Sequence, residues 1–208
     1  MFSLDSKFMC GMNRLTDLMI LNLVYLVTCV PIFTIGAANA ALYCVCFRMG
    51  TEQEGHVLKD YFRAFCSNFR QGSLLWILFL LVGGVTCLDI VLLPGTGGAI
   101  HCLFYLFVFL LVLGILMSGY VFPLLSQFQN SCVATLKNAL ILSMAYLPRT
   151  ILIAALNVLP WAVLLVSPYL FWRVVPLWLT IYFSGSASIS VRLLRKVFAP
   201  YMNPEEEA

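Results

Sequence analysis

An all-α protein that crosses a membrane several times is the fold class this sequence predicts, and three observations carry the prediction. Of 208 residues, 62% are apolar, and the mean hydropathy is +0.97. Only 12 Lys and Arg and 9 Asp and Glu are present, far fewer than a soluble domain uses to clothe its core. Residues 90–136 contain none of these four types, and similar charge-poor tracts recur at about the length a helix needs to span the hydrocarbon. The reading is one integral membrane domain over 1–208, with five or six membrane helices and amphipathic interfacial elbow helices.

The first tract, 18–47, has no formal charge over 30 residues. As one helix it would be about 45 Å long, against about 30 Å of hydrocarbon. A break is therefore expected at Pro31 and Gly36, because proline removes a backbone donor and glycine relaxes the chain. Two short membrane helices satisfy the length, and so does one span followed by a re-entrant or interfacial helix. Asn22 and Asn39 bracket the break and are expected to satisfy backbone groups released there. Thr34 is a further polar group inside the tract, and Asp17 stands three residues after Arg14, a spacing that allows an ion pair. Ala38-Asn39-Ala40 resembles a signal-peptide cleavage site. The apolar run continues past it through Phe47, however, and Asp5 and Asp17 precede it, which favours a membrane helix.

Between Val57 and Gln71 the pattern changes. Leu58, Phe62, Phe65 and Phe69 recur at helical spacing on one face, with Lys59, Arg63 and Arg70 on another, which predicts a basic amphipathic helix in the inner interface or against a partner protein. Four full spans follow, near 72–93, 100–125, 150–167 and 169–194. The turn Pro94-Gly95-Thr96-Gly97-Gly98 separates the first pair, and Ser167-Pro168 the second; both are chain-reversing sequences. A weaker elbow around Val133, Leu136, Lys137 and Leu140 precedes the second pair, and Asn68 and Asn138 stand at corresponding places. The order suggests two copies of an elbow-plus-hairpin unit, 57–128 and 130–196.

Loop charges orient the set, since cytoplasmic loops are enriched in Lys and Arg. Arg48, Lys59, Arg63 and Arg70, then Lys137 and Arg149, then Arg192, Arg195 and Lys196 place these regions and the C-terminus inside. Lys7 and Arg14 put the N-terminus there too, which favours six crossings. The surplus of basic residues suits anionic lipid headgroups, and no nucleic-acid partner is expected.

Chemistry is sparse. The eight cysteines form no C-x-x-C pair and have no His at ligand spacing, and Cys29, Cys44, Cys46, Cys87, Cys102 and Cys132, in or beside apolar tracts, read as small buried hydrophobes. Asp89 and His101 flank the Pro94 turn, where water solvates them. The run Ser184-Gly185-Ser186-Ala187-Ser188 reads as close helix packing, with hydroxyls bonded to the preceding turn. No hydrolase, metalloprotease or nucleotide-loop motif occurs, so neither an enzyme nor a bound metal or cofactor is expected.

Asp17-Leu18, Leu21-Asn22-Leu23, Pro31-Ile32-Phe33-Thr34-Ile35-Gly36-Ala37 and Ala41-Leu42-Tyr43, followed by Phe62-Arg63-Ala64-Phe65 and Asn68-Phe69-Arg70-Gln71, resemble the YesL family of bacterial membrane proteins, also called DUF624. Order and spacing agree over the first 75 residues; beyond them the resemblance rests on Lys137-Asn138-Ala139 and the span pattern. Cys66 and Ser67 stand where relatives more often carry basic residues. The resemblance implies no settled activity. It does imply a Gram-positive source and an association with carbohydrate-uptake ABC transporters, their regulators and glycoside hydrolases.

The expectation is thus a multi-pass, non-enzymatic accessory protein of the cell membrane. It would meet a transporter permease or membrane sensor through Lys59, Phe62, Arg63, Phe65, Asn68, Phe69 and Arg70. Asp17, Asn22, Pro31, Thr34, Gly36 and Asn39 form the intramembrane motif. The alternative is a small transporter or channel with a path near Asn22, Thr34, Asn39 and the serines from Ser184 to Ser190.

Overall fold

The computed structural model describes residues 2–49, 56–92 and 99–202. The Pro94 turn and Glu205 to Glu207 lie outside the described residues, as do the side chains of Lys7, Cys87, Asp89, His101 and Cys102. Every regular element among the described residues is helical. The order is α1 (Phe2–Thr28), a 3-10 turn (Ile32–Thr34), α2 (Ile35–Met49), α3 (Val57–Leu92), α4 (Ala99–Gln127), α5 (Cys132–Ala145), α6 (Leu147–Val166), α7 (Pro168–Leu177), a π-helical turn (Trp178–Tyr182) and α8 (Phe183–Met202).

Five stretches among the described residues are long and apolar enough to cross a membrane: Ile32–Met49, Val57–Thr86, Phe104–Gln127, Leu147–Val166 and Pro168–Ala199. Helix α1 is not one of them. Its charge-free part begins only at Leu18, leaving roughly 16 Å of apolar helix before Thr28, about half a hydrocarbon thickness. Large apolar side chains such as Leu81, Phe109, Leu152, Trp161 and Leu165 are exposed on α3, α4 and α6. On a chain of this composition such a surface meets lipid tails.

The core lies around α2, which packs against α1, α3, α4 and α8. Gly36, Ala37, Ala38, Ala40 and Ala41 are all buried. Their small size lets neighbouring backbones approach closely, and such packing drives helix association where lipid removes the hydrophobic incentive. Leu42, Tyr43, Val45, Cys46 and Phe47 complete the buried surface toward the C-terminal end. There Phe47 stacks on Phe198 at 6.0 Å, and Phe128 meets Phe198 edge-on at 5.8 Å.

Two sequence expectations change, and one structural difference separates the two expected repeat units. The break after α1 falls at residues 29–34, and Gly36 is already helical. The amphipathic elbow is not a separate helix, because α3 runs unbroken for 36 residues. At about 54 Å it exceeds the hydrocarbon thickness by some 24 Å, so its amphipathic first part extends beyond the apolar layer or tilts through its edge. The two expected repeat units also differ at their joints: α5 stops at Tyr146, and α6 restarts with Pro148 in its first turn. By contrast, Ser167 closes α6 as expected and caps α7, its hydroxyl accepting from the Leu170 amide at 3.3 Å. Pro176 lies within α7, and the widened turn that follows absorbs the disturbance.

Candidate functional site

The break between α1 and α2 is closed by threonines. The Thr34 amide donates to Pro31 O at 2.9 Å, and its hydroxyl lies 2.6 Å from Pro31 O and 2.5 Å from Thr28 O. The Thr28 hydroxyl in turn lies 2.6 Å from the Tyr61 hydroxyl, tying the break to α3. Asn39 serves elsewhere, its Oδ1 accepting from the Tyr25 hydroxyl at 3.1 Å and so joining α1 to α2. The released backbone is thus served by Thr34 rather than by the two asparagines.

From this break α2 runs back along the first part of α3. Gly36 meets Gly72 at one end of the pairing, and Arg48 pairs with Asp60 at 3.0 Å near the other. Both intervals are twelve residues, the signature of two antiparallel helices in register. A Cβ built on Gly36 would collide with Gly72 O and lie 2.7 Å from both Gly72 C and Trp76 Cβ. One built on Gly72 would lie 2.8 Å from Ala37 N. Gly36 therefore acts through close backbone approach, and the expected helix-breaking role does not hold. The Arg48–Asp60 pair is partly exposed, its side chains 45% and 20% accessible. Asp60→Asn is expected to cost at most about 1 kcal/mol in thermal unfolding of detergent-solubilised protein.

Successive residues on a helix turn by about 100°, so the first half of α3 divides into three neighbouring stripes. Tyr61, Ala64, Gly72 and Leu75 form the inner one; Tyr61 is fully buried. Leu58, Phe62 and Phe69 form an exposed apolar stripe beside it, 46%, 49% and 39% accessible. Lys59, Arg63 and Arg70 follow, all exposed. Phe65 sits on the inner margin, stacked on Tyr61 at 6.3 Å and edge-on to Phe69 at 5.6 Å. Phe33 from the α1–α2 break meets Phe69 at 6.5 Å. Asn68 donates to Ala64 O at 2.9 Å within its own helix. Of the seven expected docking residues, Lys59, Phe62, Arg63, Phe69 and Arg70 therefore form the outer face. Phe65 belongs to its margin, and Asn68 falls on the inner stripe between Ala64 and Gly72.

Asn22 lies far from the site that sequence suggested for it. It is fully buried, its Nδ2 donating to Trp178 O at 3.0 Å and Leu179 O at 2.8 Å. Its Oδ1 accepts from the Ser184 amide at 3.1 Å, and the Ser184 hydroxyl donates to Leu18 O at 2.7 Å. Asn22 thus serves backbone freed by the π-helical turn after Pro176, holding α1 against the last span. In the serine run the hydroxyls bond to the preceding turn as expected, with Ser184 Oγ 3.2 Å from Ile181 O and Ser186 Oγ 3.0 Å from Phe183 O. Ser184 and Ala187 are buried, but Gly185 faces open space and makes no close helix contact. Asp17 is half-buried, and no ion pair joins it to Arg14 among the described residues. Among the described residues no three His, Cys, Asp or Glu side chains gather as a metal site.

Fold and site together define a polytopic α-helical membrane protein organised around a buried small-residue helix. Residues 18–90 match the family described as "Protein of unknown function, DUF624". Over 128 residues the chain is 31% identical to the "Uncharacterized protein YteU" of Bacillus subtilis (strain 168), covering 61% of this chain and 58% of that protein. The matched part is thus under two thirds of that curated relative's length. No solved structure matches. The family match holds α2 and nearly all of α3, so the Gly36–Gly72 contact and the three stripes lie wholly within it.

Proposed function

We propose that the chain as a whole is a member of the DUF624, or YesL, family and is a non-enzymatic accessory protein of the cell membrane. Its outer face at Lys59, Phe62, Arg63, Phe69 and Arg70 docks on the permease of a carbohydrate-uptake ABC transporter or on an associated membrane sensor. The stripe order carries this reading. A helix already anchored through Tyr61 and Gly72 still offers an apolar stripe flanked by cations, an arrangement fit for the junction of lipid, headgroups and a partner. The sugar-uptake context rests on the family resemblance alone. The end of the bundle that holds Lys59 and Arg63 also carries Arg48, Arg192, Arg195 and Lys196, brought together by Phe47–Phe198 stacking, which supports a cytoplasmic location for that end.

A photo-crosslinking residue at Phe62, in cells growing on a carbohydrate, is expected to capture one permease or sensor, and the same residue at Leu152 is expected to capture none. Recovery of lipid adducts alone at both positions would contradict docking. The transporter reading has less support, because Asn22, Thr34 and Ser184 are engaged by the backbone carbonyls of Trp178, Pro31 and Leu18, and Asn39 by the Tyr25 hydroxyl. Purified protein in liposomes is expected to give no flux of sugars or ions above empty vesicles.

A further inference from the structure

At the charged end of the bundle, α1, α2 and α8 border an open pocket of about 160 Å³ lined by Arg14, Cys46, Ser188, Val191, Arg192 and Arg195. Among the described residues three of the six that line it are arginines and none is acidic. Arg195 has a structural duty, its guanidinium donating to Phe47 O at 2.5 Å. Arg14 and Arg192, exposed residues from different helices and far apart in sequence, both line it, and among the described residues Asp17, one turn from Arg14, forms no ion pair with it.

Converging guanidinium groups repel, and an anion between them turns that repulsion into charge-assisted hydrogen bonds. The planar guanidinium fork matches phosphate oxygens, and the Ser188 hydroxyl offers a further donor. The apolar surface of the same helices also narrows the ligand. Leu15 on α1 and Ile189 on α8 are 50% and 49% accessible. A cationic pocket on helices that also expose large apolar side chains suits an amphiphile better than a free ion, and basic pockets between membrane helices are known to hold lipid headgroups. We propose that this cavity binds the phosphate of an anionic phospholipid, clamping the start of α1 to the end of α8. The inference does not depend on whether the chain docks on a permease.

The test uses full-length protein in detergent, stripped of lipid and titrated with phosphatidylglycerol, phosphatidylcholine or inorganic phosphate. Bound lipid is counted by native mass spectrometry and stability is read by thermal unfolding. Wild type is expected to retain one phosphatidylglycerol and to melt at higher temperature with it, while phosphatidylcholine and inorganic phosphate do little. The double variant Arg14→Gln/Arg192→Gln leaves Arg195 on Phe47 O and is expected to lower phosphatidylglycerol retention by at least about tenfold, roughly one charge-assisted contact. Lys137→Gln/Arg149→Gln, away from the cavity, is expected to bind as wild type does. Undiminished retention by a folded Arg14/Arg192 variant overturns the site. Protection by inorganic phosphate with none from phosphatidylglycerol overturns the lipid assignment.

Discussion

Gly36→Ala is expected to destabilise the protein by about 3 kcal/mol, the upper end of ordinary overpacking. The obstacle is backbone. The added methyl would collide with the Gly72 carbonyl and with Trp76 Cβ, and neither can rotate away as the tip of a side chain can. Gly72→Ala meets the same interface from the other side, with Ala37 N at 2.8 Å and Ala37 Cα at 2.9 Å, and is expected to behave alike. Because both substitutions push one contact apart, the double variant should cost less than the sum of the two. Gly84 and Gly185 supply the control, since a Cβ on either meets nothing within 4 Å. Alanine there is expected to be neutral or slightly stabilising, as its helix propensity exceeds that of glycine by about 1 kcal/mol. Thermal unfolding of the four single variants in one detergent checks the whole set. A melting temperature for Gly36→Ala equal to that for Gly84→Ala would mean that the α2–α3 contact does not hold the bundle together.

Asn22→Leu is expected to cost about 2–3 kcal/mol, the penalty of leaving buried backbone groups without partners. Two carbonyls, Trp178 O and Leu179 O, lose a donor, and the Ser184 amide loses an acceptor. Asn22→Asp separates donor from acceptor loss. It keeps an oxygen for Ser184 but faces the two carbonyls with oxygens instead of an amide, so it is expected to be at least as harmful as leucine. Hydrogen exchange locates the damage. Amides from 178 to 186 should lose protection in both variants, while those of α3 keep theirs. Unchanged exchange in the π-helical turn would mean that Asn22 does not hold that turn.

These two effects mark where sequence reasoning reached and where it stopped. Hydropathy and charge depletion place the spans, since both follow from residue type alone, and Pro31 and Ser167 mark breaks through local backbone chemistry. Gly36 could be recognised as special, but its partner is 36 residues away, and no periodicity says which backbone it must approach. Asn22 bonds across 156 residues to a turn whose widening follows from Pro176 within a packed bundle. The continuity of α3 was hidden because Gly72 looks like a boundary beside the amphipathic stretch, although it is a contact point inside one helix. The outer face was half legible. Leu58, Phe62 and Phe69 stand out by their size, whereas the anchoring stripe of Tyr61, Ala64 and Gly72 is small and polar enough to escape a search for large apolar residues. The signal that could have found it was there: Tyr61, Ala64, Phe65, Asn68 and Gly72 recur at three- and four-residue intervals.

The central claim is that residues 57–72 form the start of one long helix with an inner, an apolar outer and a basic stripe at the membrane surface. Spin labels placed one at a time along 57–72, in protein reconstituted into bilayers, test it most directly through collision with oxygen, which partitions into lipid, and with a water-soluble nickel chelate. A helical period is expected in both profiles. Oxygen maxima should fall at 58, 62 and 69, nickel maxima at 59, 63 and 70, and minima for both at 61, 64 and 72. Profiles without that period, or with Tyr61 and Ala64 more accessible than Phe62 and Phe69, would contradict it.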